Sequence, residues 1–274
     1  FYFYLTQKNK KYSLGKCSKN QGRIIVSLTS FPNRINQIWL VIETILRQTK
    51  KPDKIILWLS KEQFSSLEDL PRKLLKQINR GLEIELVDED LKSHKKYYYT
   101  LQKYPNDFML TIDDDIFYRS TMINDLYNYS NLFPNVVISQ YCKQIHWVNN
   151  KLIPYSLWPY SKEHSETRSD LFFGTGGGTL FPPNSLHSDV LNKFLFMKYT
   201  KTADDIWLNV MCKLKLTKVV QTDYSTVLLP VLNFGNTHLY NINNGLLNKN
   251  DECIKRLKDF YIKQKGINPF SSVH

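Results

Sequence analysis

An apolar run that ends in three consecutive carboxylates, Phe108-Met-Leu-Thr-Ile-Asp113-Asp114-Asp115, limits what this chain can fold into. Phe108 to Ile112 is rich in large apolar side chains and follows the turn-forming Pro105-Asn-Asp, which predicts a short buried strand. Three acids cannot carry that strand on into a core. Because alternate strand side chains share a face, Asp113 and Asp115 are predicted on one side and Asp114 on the other. Two carboxylates about 4 Å apart repel by roughly 4 kcal/mol at an effective dielectric of about 20. That is about three pKa units, so one should protonate unless a cation lies between them. A hard divalent cation with oxygen ligands resolves the conflict, and its usual companion is a substrate phosphate. The bland alternative is a solvated turn, where a single Asp is common. Three acids on so apolar a strand favour the metal.

The residues before this run alternate between two periodicities. Arg23 to Thr29 and Lys54 to Leu59 read as strands, as do Glu83 to Val87 and Asp107 to Ile112. Asn36 to Arg47 has apolar residues at Ile38, Ile42, Ile45 and Leu46, the spacing of an amphipathic helix. A second helix opens at Leu70-Pro71 with Gly81 beyond its end, and a third, capped by Ser93, runs to Lys103. Strand and helix in alternation predict an α/β fold with a mainly parallel central sheet. In open sheets of that kind ligands bind beyond the carboxyl ends of the strands. Thr29-Ser30, Ser60, Asp88 to Asp90 and the acidic triplet all fall there.

The second half is less regular. Ser120 caps a predicted helix to Leu132, and Asn135 to Ser139 is a further strand. Gln144 to Asp170 is polar and aromatic without clear period, which predicts a long functional loop. Then Gly174, Gly176, Gly177 and Gly178 stand within five residues. They permit close backbone approach and positive φ, so a substrate loop is predicted, against the alternative of a tight turn between strands. The G-x-G-x-x-G dinucleotide fingerprint is absent. Thr202-Ala-Asp204-Asp205 opens an apolar helix through Leu214. Thr202 and Asp205 match a capping box, but a carboxylate at a helix start is also rigidly aimed, as a general base must be. His238, in Gly235-Asn-Thr-His, is a lone histidine, more often structural than ligating.

Composition narrows the classes. At 274 residues and 42% hydrophobic, with 17 Tyr and 15 Phe, the chain can bury a full core and is not low-complexity. A formal charge of +12 suits phosphates, nucleic acid or an anionic membrane face. The Lys and Arg residues form no dense stripe, and an acid triplet would repel a phosphate backbone, so no nucleic-acid partner is expected. Cys17, Cys142, Cys212 and Cys253 make no metal-type pair and point to a reducing compartment. No apolar run approaches membrane-spanning length, although the basic, aromatic segment Phe1 to Lys19 could touch a membrane surface.

Four stretches in order carry a resemblance to bacterial glycosyltransferases of the GT-A fold from surface-polysaccharide clusters. They are Ile25 to Arg34 with Gln48 to Ser60, Ser93 to Tyr99, Thr111 to Asp115, and Ala203 to Leu208. The acidic triplet resembles the family's Asp-x-Asp motif. The resemblance implies one GT-A domain over 23–250, with a nucleotide-sugar half at about 23–118 and an acceptor half at about 119–250. A basic and aromatic extension (1–22) and a C-terminal helix and tail (251–274) flank it. It implies Mn²⁺ or Mg²⁺ bound by Asp115, with Asp113 facing the ribose or a metal-bound water and His238 a looser third ligand. It implies donor contacts from Thr29, Ser30, Phe31, Arg34, Ser60, His94, Lys95, Asp113 and Asp114, with Lys96 a further positive charge against the phosphates. Asp205 would be the general base of an inverting displacement, with Asp204 beside it. The acceptor loop would include Trp158, Arg168, Gly176, Gly177 and Gly178. Trp147 and Tyr160 are further aromatics able to stack on a sugar. The implied partners are a nucleotide-sugar donor and a glycan or lipid-linked glycan acceptor, in a cytoplasmic enzyme at the inner membrane face. Exostosin-type retaining transferases share the Asp-Asp-Asp strand end and the late acidic pair, so both stereochemistries stay open. A metal-dependent nucleotidyltransferase or phosphohydrolase would use the same carboxylates.

Overall fold

Near-continuous apolar strands need cover on both faces, and this chain supplies helices on both. The structure, a computed structural model, describes residues 22–223, 228–231 and 249–271. Strands β1 (Ile24–Thr29), β2 (Lys54–Ser60), β3 (Leu82–Val87) and β4 (Phe108–Thr111) alternate with helices α1 (Ile38–Leu46), α2 (Arg72–Ile78) and α3 (Lys95–Lys103). After the two-residue strand β5 (Ile116–Phe117) come α4 (Met122–Leu132) and β6 (Val137–Ser139). The short strands β7 (Cys142–Gln144), β8 (Trp147–Val148), β9 (Lys151–Leu152), β10 (Thr167–Arg168) and β11 (Leu171–Phe173) lead to β12 (Thr179–Phe181). Helices α5 (Lys193–Tyr199) and α6 (Asp204–Leu214), strands β13 (Val219–Gln221) and β14 (Leu229–Pro230), and helix α7 (Lys249–Lys265) complete the described chain.

Eight strands form one sheet in the order β10-β13-β6-β12-β4-β1-β2-β3. Its β4-β1-β2-β3 part is parallel throughout. β12 enters antiparallel between β4 and β6, and β10 closes the other edge antiparallel to β13. The sheet is therefore mixed, parallel from β4 to β3 and interrupted by antiparallel strands on the other side. The period-2 rule divides β1: Ile24, Val26 and Leu28 pack under α1 and α4, while Ile25 packs with Ile56 and Trp58 on the other face. A second apolar body gathers β11, α5, α6 and α7 around Trp207, Phe173 and Tyr261.

Several local expectations need correction. α1 is buried on every side rather than amphipathic, because Glu43 is enclosed by Arg47 at 2.7 Å and by Arg80. None of the three predicted caps forms. Ser93 lies inside a 3₁₀ turn and its buried hydroxyl has no partner, and α3 starts at Lys95 after an uncapped His94. α4 begins after Thr121, not Ser120, and the Thr121 hydroxyl goes to Asp125 instead. α6 follows Ala203 with no side-chain cap, so the Thr202–Asp205 capping box is absent. The Gln144–Asp170 stretch is not one loop but short strands and a 3₁₀ turn, including the β8–β9 hairpin. Among the described residues no helix is long and apolar enough to cross a membrane. Cys142, Cys212 and Cys253 carry free thiols.

Candidate active site

The strand carrying the acids stops at Thr111, and Asp113 to Asp115 lie in the turn that follows. Strand alternation therefore does not apply to them, and the predicted grouping of Asp113 with Asp115 is wrong. Instead Asp114 and Asp115 share one guanidinium, with Arg34 Nη1 at 2.7 Å and 3.0 Å. Asp114 is nearly sealed (7% exposed) and also accepts from the Ser30 hydroxyl at 2.6 Å. Asp113 turns the other way, onto Lys96 Nζ at 2.7 Å. The repulsion inferred from sequence is relieved by two cations of the protein's own, one on each side.

Lys96 is placed by the sheet. On β1, Ser27 points to the α3 side and its hydroxyl donates to the Lys96 carbonyl. Thr100 and the Trp58 indole close this buried polar knot. The first turn of α3 is thereby fixed over the ends of β1 and β4. Lys95 and Lys96, about 100° apart round the helix, reach different acids. Lys95 pairs with Asp90 beyond β3, while Lys96 bridges Asp113 and, at 2.9 Å, Asp204. Burial alone would lower the Lys96 ammonium, but the carboxylates of Asp113, Asp204 and Asp205 outweigh it and hold it well above the ordinary lysine range.

Asp204 and Asp205 open α6, where the helix dipole favours negative charge. The glycine-rich segment is docked onto this helix by Asn209, whose amide donates to the Phe173 carbonyl at 2.8 Å and accepts from its N–H at 3.1 Å. Two residues on, Thr175 N–H donates to Asp205 at 2.7 Å, and the Thr175 hydroxyl lies against both Asp204 and Asp205. Burial raises the Asp205 carboxyl and Asp204 beside it raises it further, to about 6. For Asp204, burial also pushes up, but the Lys96 ammonium, by charge and by hydrogen bond, outweighs it with help from the Thr175 hydroxyl, and its carboxyl is lowered. Adjacent acids thus take opposite characters, the arrangement that separates a base from a fixed charge.

Glycine matters most at Gly176, where a Cβ would stand 1.9 Å from the Asp113 carboxylate. Tyr118 stitches the two loops together: its hydroxyl accepts from Asp113 N–H at 2.8 Å and donates to the Gly176 carbonyl. Gly178, at φ +96°, has the left-handed backbone that a side chain would strain.

These groups surround a cleft of about 550 Å³. Thr29, Ser30, Phe31, Arg34 and Lys95 line it, together with the acidic triplet. Asp204, Asp205, Gly176 and Gly177 line it as well, next to Asp113 through Gly176 and the Lys96 bridge. Other predicted contacts lie elsewhere. Ser60 is fully buried, its hydroxyl accepting from the Glu62 N–H. His94 is also fully buried, stacked on Phe196, with its ring nitrogens on the Tyr97 hydroxyl and the Thr200 carbonyl. Burial pushes that imidazole down to about 4, so it is neutral and structural. Trp158 is 3% exposed and packs among Tyr155, Phe172 and Phe270, so it is core rather than a sugar platform. Trp147 donates its indole N–H to Phe270. Arg168 is spent on Asp170 and Glu163, and Gly178 backs onto Met122. His238 lies outside the described residues.

Four contributors escaped the sequence reading. Thr175 and Tyr118 had no motif to mark them. Asp90 has no role in the sequence reading, although an acid three residues past the end of β3 is a usable signal. Lys143, on β7, falls between the predicted Asn135–Ser139 strand and the Gln144–Asp170 stretch, where the sequence offers no motif.

No protein-family model matches the chain, and no characterised protein matches it by sequence. The fold is similar to that of a mannosyltransferase from Pyrobaculum calidifontis solved in complex with GDP-Man and Mn²⁺. That likeness has 10% identity and a TM-score of 0.57, over 99% of this chain and 72% of that one. 4-Diphosphocytidyl-2C-methyl-D-erythritol synthase from Anaerococcus prevotii matches more loosely, at 16% identity and TM-score 0.49, over 76% of this chain and 92% of its own. A third, glucosyl-3-phosphoglycerate synthase from Mycobacterium tuberculosis, shares 15% identity and a TM-score of 0.34 over 44% of each chain. The chain has an α/β fold similar to that of GT-A glycosyltransferases.

Proposed function

We propose that this chain is a nucleotide-sugar-dependent glycosyltransferase, moving a sugar from a nucleoside diphosphate to the hydroxyl of a glycan or lipid-linked glycan. The observation that carries the reading is the ammonium of Lys96, which joins the strand-exit acids to the helix-start acids in one cleft. A diphosphate donor needs the first set, and removing a hydroxyl proton needs the second. The fold similarity to a mannosyltransferase solved with GDP-Man and Mn²⁺ supports it.

The donor set fits Mn²⁺ or Mg²⁺. Asp113 and Asp115 offer only hard oxygen ligands to the cleft, and among the described residues no group of three metal-ligating side chains occurs. One or two carboxylates, with substrate phosphates and water completing the shell, is the usual way such ions are held. When bound, the ion neutralises charge growing on the departing diphosphate. Arg34, on Asp114 and Asp115, and Lys96, on Asp113, add positive charge beside these acids. On the other side Asp205, raised to about 6, is matched to accept a proton near neutral pH from a hydroxyl attacking the anomeric carbon. Thr175 orients that carboxylate and Lys96 keeps Asp204 ionised. A base so placed favours inversion of the anomeric centre.

Calorimetric titration with UDP-, GDP- and CMP-sugars, with and without Mn²⁺, tests this on wild type and Asp115→Ala. Metal-dependent binding of one nucleotide class, lost in the variant, is the expected result. Pyrophosphate release from a nucleoside triphosphate without any glycan acceptor would move the chain to the nucleotidyltransferases.

A further inference from the structure

Nearly every cation in the cleft lining is paired with a carboxylate. Arg34 lies on Asp114 and Asp115, Lys92 and Lys95 on Asp90, and Lys96 on Asp113 and Asp204. Lys143 differs. Among the described residues it has no carboxylate at ion-pair distance, and its ammonium instead donates to the Tyr155 carbonyl at 3.2 Å. It stands over the Tyr155 ring at 4.2 Å and near that of Tyr160 at 5.5 Å. Burial lowers this lysine from its ordinary value, with Asp251 pulling the other way. A half-buried ammonium facing aromatic rings keeps donors to spare, because a carbonyl takes only one of its three protons.

Its position in the fold matters as much as its charge. Lys143 on β7 stands opposite Phe172 on β11, and both line the cleft. β11 runs directly into the segment whose Thr175 holds Asp205. Beside Lys143, the rings of Tyr141 and Tyr160 meet at 5.2 Å and also line the cleft, and Tyr160 is 53% exposed. Aromatic faces of this kind pack against the apolar face of a sugar ring. The wall on the side of the proposed base therefore combines a sugar-sized aromatic surface with a cation that no carboxylate among the described residues meets at ion-pair distance.

We propose that Lys143 makes this wall a subsite for acceptor glycans bearing an acid group, a carboxylate or a phosphate, with the Tyr141–Tyr160 pair against the ring. The inference rests on the glycosyltransferase reading above. An incoming anion supplies the direct anionic contact that the described residues do not give Lys143, through charge-assisted hydrogen bonds in a partly desolvated site. A neutral sugar of the same shape leaves the ammonium as it is.

The test is ligand-detected NMR on the full chain with Mg²⁺, using methyl β-glucoside, methyl β-glucuronide and glucose 6-phosphate as probes. At least one acidic probe should bind about tenfold more tightly than the neutral glycoside, the scale of one charge-assisted contact. The acid that gains more identifies the group. Lys143→Gln should abolish the preference, while Lys143→Arg should retain most of it. Nucleotide-sugar binding should be unaltered in both variants. Equal binding of charged and neutral probes by wild type overturns the proposal, as does a preference that survives in Lys143→Gln, since the anion would then sit elsewhere. These outcomes are distinct from failure of the parent reading, in which no nucleotide sugar binds wild type at all. If Lys143→Gln does not fold, the wild-type comparison with the Arg variant still decides.

Discussion

The two acidic clusters of the cleft are built from the same side chain and behave differently. At the exit of β4 the acids sit in a turn, and Asp113 and Asp115 keep 42% and 25% of their side chains exposed. At the start of α6, Asp204 is buried and Asp205 is held by both the N–H and the hydroxyl of Thr175. The first cluster is arranged to exchange partners, because a solvated carboxylate can release a guanidinium for another cation at little cost. The second cannot exchange without leaving a charge buried and alone. A turn gives access, and a helix start docked against a glycine-rich segment gives fixed aim.

The strongest test of this division removes one member of the open cluster. With Asp115→Ala, transfer should fall by about 10³-fold or more, the several kcal/mol that a divalent ion held there would supply. Metal-dependent nucleotide binding should vanish with it, while thermal stability stays near wild type. A large loss of stability would mean that the turn is structural and the contrast false. Next in size is Asp205→Asn. It should lower turnover by about 10²-fold, as for loss of a general base, with donor affinity retained. Equal loss of donor binding would place Asp205 in the binding machinery.

Lys96→Met strikes the link between the clusters. It leaves the buried Asp204 without its cation, so unfolding in denaturant should show about 3 kcal/mol of lost stability. Because the Lys96 ammonium depresses Asp204, part of that stability is present above the ordinary carboxylate pKa and is lost as pH falls. The variant should therefore be nearest to wild type in acid and furthest from it at neutral pH. A deficit independent of pH would show that Lys96 acts by packing alone.

How much of this was legible beforehand follows from which forces are local. β1 and β2 declare themselves because strands covered on both faces must be apolar almost throughout. The acidic triplet declares itself because three carboxylates directly after such a run repel one another and demand cations close by. What failed was reading beyond the last strand residue: the strand ends at Thr111 and the turn at Asp114-Asp115 is enough to regroup Asp113 to Asp115. Ser93 and Thr202 were misread as caps because capping is a local preference, whereas their neighbours Lys95, Lys96 and Asp205 are positioned by tertiary partners. Trp158 and His94 were misread because an aromatic or imidazole ring suits a core and a site equally. The bridge from Lys96 to Asp204 joins distant segments, and no pattern in one sequence encodes it.

The smallest effect separates the two acids of the closed cluster from each other. A hydrogen bond to the ionised form of a carboxyl lowers its pKa. The Thr175 hydroxyl has one proton and lies against both Asp204 and Asp205. If it serves Asp205, Thr175→Val should raise that carboxyl above about 6, because its burial and the neighbouring Asp204 then act with less opposition. The proposed base must be ionised to work, so kcat/KM should fall on the acid side of that value in wild type. The acid limb of the variant should move to higher pH by about one unit, with a plateau lowered only several-fold. If the hydroxyl serves Asp204 instead, the limb stays in place and only the plateau drops. The first outcome makes Thr175 the residue that tunes the base. The second leaves that tuning to the Thr175 N–H and to Lys96, and makes the Asp204 side of the cluster the one the glycine-rich segment was built to hold.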